Sequence, residues 1–308
     1  MNQRTNIYKT KTWTTLSFAM IICLLSCEDF FETTIDIDPP EVVPKMVVNS
    51  FIQPKQDYVS FWINKNYSLS ERGVQRGAVD ALVTIDNITS GNSINVTYRD
   101  SIPIEHQPFN YFEEIDSSFF NNNDIYEINI TDNDGIYPEI NEQFEFPAKV
   151  ELVNFAYEYE GGIDEEGNES ISIEITFPDP PGVDNFYEIG ILVDYNPDDM
   201  FHRPAYASTI DIAASKGFQD NFILLSDESF DGEEKSIDLK IRRFIEQDRT
   251  LHVIWRNVTE DYFRYSKTLK VQNDNGDNPF SSIAPVYSNV PQGLGIISFY
   301  QEDIIKVN

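Results

Sequence analysis

The stretch Ile125-Tyr126-Glu127-Ile128-Asn129-Ile130 decides the fold class, because it alternates apolar with polar residues without a break. In an extended chain successive side chains point to opposite faces, so this pattern reads as a strand with one solvated side. Asp134-Gly135 follows as a turn, and residues 136–146 return. Alternation, a turn dipeptide and a returning run together predict a β-hairpin.

Working outward, the same signal recurs. Upstream, residues 42–52, 58–63, 78–86 and 94–99 read as strands, with Val79, Ala81, Val83 and Ile85 on one face. Phe146-Pro147-Ala148 marks a boundary. Beyond it, residues 150–158 and 171–177 bracket a glycine-rich turn region and read as paired strands with one face in water. Pro178-Asp179-Pro180-Pro181-Gly182 is a rigid turn, and residues 185–195, 234–244, 250–257 and 293–300 are further strands. Thr259-Glu260-Asp261, ahead of Tyr262, Phe263, Tyr265 and Leu269, predicts one short helix with a threonine cap and an acidic first turn. The expected fold is mainly β. It has two β-sandwich-like domains, residues 42–147 as an immunoglobulin-like or transthyretin-like module and 148–308 as a second sandwich carrying the helix.

The N-terminus reads as an address. Arg4, Lys9 and Lys11 precede an uncharged run from Trp13 to Leu25, too short for a spanning helix of ~20 residues. Leu24-Leu25-Ser26-Cys27 closes it as a bacterial lipobox, making residues 1–26 a signal peptide and Cys27 the lipidated residue. Each buried CH₂ contributes roughly 0.8 kcal/mol of anchoring, so several acyl chains on one cysteine hold firmly. Residues 27–41 then form an acidic, proline-stiffened tether. Its cluster of Glu28, Asp29 and Glu32 resembles the surface-export signal of Bacteroidota lipoproteins.

Composition narrows the classes further. The net charge is −30. This argues against nucleic acid and against adhesion to anionic lipid by charge. A hydrophobic content of 41% excludes a disordered acidic chain. The two cysteines are Cys23, in the leader, and Cys27, so none is left for a disulfide, a thiolate metal site or nucleophilic catalysis. Nucleophile-elbow, zincin and phosphate-loop motifs are missing from the sequence. His106, His202 and His252 are widely spaced and read as isolated surface or core residues. Acidic pairs abound without singling out a hydrolase pair. Calcium is the one cofactor with a case. Asp132-Asn133-Asp134-Gly135 and Asn273-Asp274-Asn275-Gly276-Asp277 place oxygens at loop spacing, with Asp274 and Asp277 as candidate ligands. Neither matches an EF-hand, and a hairpin turn and a solvated loop are the simpler readings.

The C-terminal third carries a family resemblance. Glu260-Asp261-Tyr262-Phe263-Arg264-Tyr265, then Asn278-Pro279-Phe280, Tyr287-Ser288-Asn289 and Gly293-Leu294-Gly295-Ile296 stand in that order. With Phe230-Asp231-Gly232 and the Pro178–Gly182 turn before Asn185-Phe186-Tyr187, the set resembles the Bacteroidota lipoprotein family of domain of unknown function 4249. The phenylalanine usual after "GLGI" is here Ile297, with Phe299 two residues on. The resemblance implies an outer-membrane lipoprotein encoded near TonB-dependent receptors, and no established reaction. Read physically, Gly293 and Gly295 permit positive φ or close backbone approach near the last strand. Asp231-Gly232 is a turn, Pro279-Phe280 plugs a ring into the core, and Tyr262, Tyr265 and Tyr287 are core aromatics with hydroxyls at the rim. The expected protein is a non-enzymatic, surface-exposed accessory that captures a ligand or docks on such a receptor. A structural or adhesive surface protein is the alternative, and a carboxylate-based hydrolase the second.

Overall fold

The computed structural model describes residues 43–67, 78–99, 109–197, 204–243, 245–276 and 284–308. The leader, Cys27, Glu28, Asp29, Glu32, His106, His202, Asp277, Asn278, Pro279 and Phe280 lie outside them. The alternating segments are strands, and the protein is mainly β. In chain order these are β1 Met46–Ile52, β2 Tyr58–Lys65, β3 Ala81–Asn87, β4 Asn92–Tyr98, β5 Tyr111–Glu114, β6 Ile125–Asp132, β7 Ile140–Glu145, β8 Asn154–Glu158 and β9 Ser170–Pro178. There follow β10 Phe186–Val193, β11 Pro204–Ala205, β12 Ala207–Ser208, β13 Ala214–Lys216, β14 Ile223–Ser226, β15 Glu234–Arg242, β16 Leu251–Val258 and β17 Leu294–Lys306, with helix α1 at Glu260–Gly276.

One sheet of 13 strands runs β13-β14-β10-β16-β17-β1-β2-β5-β4-β3-β6-β7, with β11 added beside β10. A second sheet of four strands runs β12-β15-β9-β8. Two hydrophobic cores result. The first gathers β1–β7 residues up to Phe146, together with Val290, Ile297 and Phe299. The second begins at Val150 and fills the space between the four-stranded sheet and the strands around β10 and β16. All described residues nevertheless fall in one unit. β17 is the reason: its first half pairs in parallel with β1, Val47 opposite Leu294 through Ile52 opposite Phe299. Its second half pairs antiparallel with β16, Val258 opposite Tyr300 through His252 opposite Lys306.

The hairpin that decides the fold class is present as β6 and β7, Ile130 opposite Ile140 and Ile125 opposite Glu145. Residues 136–139 belong to the loop and not to the returning strand. The buried Asp132 carboxylate holds them, accepting the N–H groups of Asp134 at 3.2 Å, Ile136 at 2.6 Å and Tyr137 at 3.0 Å. This is an Asx-type turn. The paired strands expected around residues 150–177 are β8 and β9.

Gly295 has φ +103°, and a Cβ there would lie 2.0 Å from the carbonyl oxygen of Val48. Only glycine lets β17 come this close to β1. Ile297 and Phe299 are both 1% exposed. Residues two apart share a strand face, so displacing the phenylalanine to position 299 keeps its ring in the core. There it stacks on Phe144 at 5.4 Å and Tyr126 at 5.6 Å. The helix is longer than the short one expected. Thr259 caps it through Oγ1, which accepts the Tyr262 N–H at 3.3 Å, and it continues to Gly276.

Candidate functional site

Strand β10 presents Tyr187, Ile189 and Ile191 to the second core. By the period of two, Glu188 and Gly190 face the other way, toward α1 and the 218–222 loop. Gly190 leaves room for a ring: a Cβ there would lie 2.5 Å from Phe222 Cε1. Glu188 is 1% exposed on this face. Register explains what sits beside it. Glu188 lies opposite Arg256 on β16, and Arg256 lies opposite Glu302 on β17, so the three form one row across three strands.

Arg256 donates from Nη1 to Glu188 at 2.6 Å and from Nε to Glu302 at 2.7 Å. Its guanidinium lies 4.8 Å from the Phe222 ring centroid and 5.3 Å from that of Tyr300. From the helix, Tyr262 donates its hydroxyl to the Glu188 carboxylate, 2.8 Å from either oxygen. Burial opposes the charge on Arg256, yet Glu188 and Glu302 carry its pKa above the usual arginine value. Burial first, then the charge of Glu188, raises the Tyr262 phenol, so Tyr262 remains a donor. Burial likewise raises Tyr300. A cavity of about 160 Å³ opens beside this row, lined by Phe51, Phe218, Gln219, Arg256, Tyr262 and Tyr300. Aromatic walls with a few fixed polar groups are the general make-up of a small-molecule site. A buried ion pair adds little net stability over an apolar replacement, so its presence beside a cleft marks a candidate site.

The expected hydroxyl at the rim is therefore wrong for Tyr262, whose O–H is buried on a carboxylate. Tyr265 reaches Asn49 Oδ1 at 3.4 Å. Tyr287 bonds Asp261, and burial followed by that bond pushes its phenol up to about 12. Asn289 clasps β17: its Nδ2 donates to the Ile297 carbonyl at 2.8 Å, and its Oδ1 accepts the Ile297 N–H at 3.0 Å. Nδ2 also reaches Asp261 at 3.0 Å. These motif residues tie the helix to the last strand. Gly293 serves a different contact, the approach of β17 to β1, since a Cβ there would come within 2.9 Å of the Met46 carbonyl oxygen.

The Asp231-Gly232 turn meets the Pro178–Gly182 turn. Gly182 donates to Asp231 at 2.7 Å and Gly232 to Asp179 at 3.0 Å. Asp227 joins them, accepting the Asn185 N–H at 2.6 Å. Oxygens of Asp179, Asp227 and Asp231 lie within 4.8 Å of one another, a hard-oxygen set of the kind calcium takes. Each carboxylate already accepts a backbone N–H, so the cluster also accounts for itself as a staple between turns. Burial first, and the nearby Asp179 charge, raise the Asp227 carboxyl. Asp274, by contrast, is in the last turn of α1 and not in a loop, where it pairs with Lys270.

Glu188, Arg256, Glu302 and Asp227 are not singled out by sequence, and Asp179 enters there only as part of a turn. A signal existed for two of them: Glu188 is the lone charge in an otherwise apolar strand, and Arg256, opposite in sign, directly follows the apolar run Val253-Ile254-Trp255.

The model of the family Domain of unknown function (DUF4249) matches residues 32–305. No match was found among curated proteins. Among solved structures, a Corynebacterium diphtheriae protein described as membrane anchored overlaps at 13% identity with a TM-score of 0.20, over 70% of this chain and 55% of that protein's length. An overlap at that score says nothing of the fold.

Proposed function

The chain belongs to the DUF4249 family, and from that premise we propose that it is a non-enzymatic lipoprotein of the bacterial outer membrane, exposed at the cell surface. In this reading it captures a ligand for, or docks on, a TonB-dependent receptor in nutrient uptake. The observation that carries the reading is the aromatic-walled cavity over Glu188, Arg256 and Glu302. Both carboxylates are engaged by Arg256, which suits a fixed binding surface better than proton transfer. The lipobox ending in Cys27 and the acidic run Glu28, Asp29 and Glu32 supply the address.

The test is isolation of the native protein from outer membranes. A large β-barrel receptor should co-purify, and repeated recovery of the protein alone would count against the reading. Mass spectrometry should show acyl chains on Cys27, and protease treatment of intact cells should degrade the protein.

A further inference from the structure

Between β12 and β13, the chain turns through Thr209-Ile210-Asp211-Ile212-Ala213. Ile210 is 88% exposed and Ile212 is 93% exposed. Folding normally hides side chains of this kind, and here the chain between them is tied down. Asp211, between the two, turns inward. Its carboxylate pairs with Lys235 at 2.6 Å and accepts the Ala213 N–H at 2.9 Å. Its carbonyl accepts the Ala214 N–H at 3.1 Å, and its own N–H reaches Thr209 Oγ1 at 3.3 Å. Asp211 thus fixes the loop from within while the two isoleucines stand outward. At its base Lys216 donates to the Ala207 carbonyl and lies 4.3 Å from the ring centroid of Tyr206, which is itself 44% exposed.

We infer that Ile210 and Ile212 form a wedge that dips into the bilayer carrying the lipid anchor and sets how the body stands on the membrane. This rests on the proposed lipidation of Cys27. Three considerations favour lipid over a protein pocket. About 15 residues separate Cys27 from Val43. At ~3.3–3.6 Å per residue they reach at most roughly 50–55 Å, so the body never leaves the neighbourhood of the bilayer and its local concentration there stays high. A tip of two side chains is far below the area of about 1,000 Å² that a specific protein interface needs, whereas a bilayer demands no shape match. Tyrosine and lysine at the base of an apolar tip are the side chains that sit at a membrane–water boundary. At a net −30, with Lys235 already paired, anionic headgroups add no attraction, so insertion rests on the apolar tip and the anchor.

The experiment supplies the anchor artificially, so that it does not depend on lipidation. The mature chain, with Cys27→Ser and an N-terminal histidine tag, is bound to phosphatidylcholine vesicles containing a nickel-chelating lipid. Ile212→Cys gives the single thiol, carrying an environment-sensitive fluorophore. Emission should shift to the blue on vesicles, and nitroxide-labelled lipid should quench it. Adding Ile210→Ser should cut that quenching several-fold without changing the melting temperature. Emission unchanged on vesicles overturns the wedge. So does a blue shift that lipid nitroxides leave unquenched and that grows with protein density, which would mean contact between copies. Should Cys27 prove unmodified in the bacterium while the wedge still inserts, the anchor reading alone fails.

Discussion

Replacing Arg256 by methionine tests whether the buried row is electrostatic or merely packed. The substitution keeps an unbranched chain between Phe222 and Tyr300 but strands Glu188, which is 1% exposed and retains, among the described residues, only the Tyr262 hydroxyl as donor. Two effects compete in magnitude. Losing the desolvated guanidinium over two rings costs about 2 kcal/mol or more per ring, part of which the methionine sulfur returns at about 0.3–1.5 kcal/mol per ring contact. Breaking a buried pair by removing one partner costs about 3–5 kcal/mol, because an uncompensated charge remains. The two are comparable in size, and for a body of this size the stranded charge alone corresponds to a fall in Tm of roughly 6–20 °C. Glu302 is less affected, being partly open to water at 16% exposure. The two effects separate in a double-mutant cycle. Glu188→Gln keeps an acceptor for Tyr262 and removes the charge, so Arg256→Met with Glu188→Gln should be at least about 1–2 kcal/mol more stable than Arg256→Met alone. Urea unfolding followed by circular dichroism gives all four corners. If the double variant loses the full sum of the two single losses, the charge was not stranded and the reasoning is wrong.

Two further outcomes follow from particular contacts. Gly295→Ala should destabilise far more than Gly91→Ala, although both positions have positive φ, because the Gly295 Cβ meets the Val48 carbonyl at 2.0 Å while the Gly91 Cβ meets nothing within 4 Å. Backbone strain alone costs about 1–3 kcal/mol, so thermal melts in which both variants fall equally would show that β1 and β17 do not touch there. Asp227 tests the acidic staple. Its folded pKa is raised by burial and by Asp179. A raised carboxyl favours the folded state fully below the unfolded pKa of about 3.9, and that contribution is lost as pH rises through the folded value. Asp227→Asn should therefore raise Tm at neutral pH and change it little near pH 4, since asparagine still accepts the Asn185 N–H. A Tm difference that does not vary with pH would refute this.

Local features were legible because their causes are local. The Asp134-Gly135 hairpin, the Thr259 cap and the glycine at position 295 each depend on residues adjacent in sequence or on a backbone requirement that only glycine meets. The helix ran longer than expected because its polar C-terminal turn lacks the apolar period that reveals helices, although Lys270 and Asp274 pair across it. The strand from Asn92 to Tyr98 was readable, but β11 to β14 were not, since two- to four-residue strands carry too few alternations to register.

By itself the sequence determined the class, the strand faces and the residues able to turn. Alternation states which side chains share a face, and turn chemistry states where the chain reverses. It left open which strands meet. That β17 joins both cores, parallel to β1 and antiparallel to β16, was decided by tertiary packing. So was the row of Glu188, Arg256 and Glu302, whose members stand 68 and 46 positions apart. Periodicity is a property of one strand, whereas a charge row across three strands exists only once their register is set.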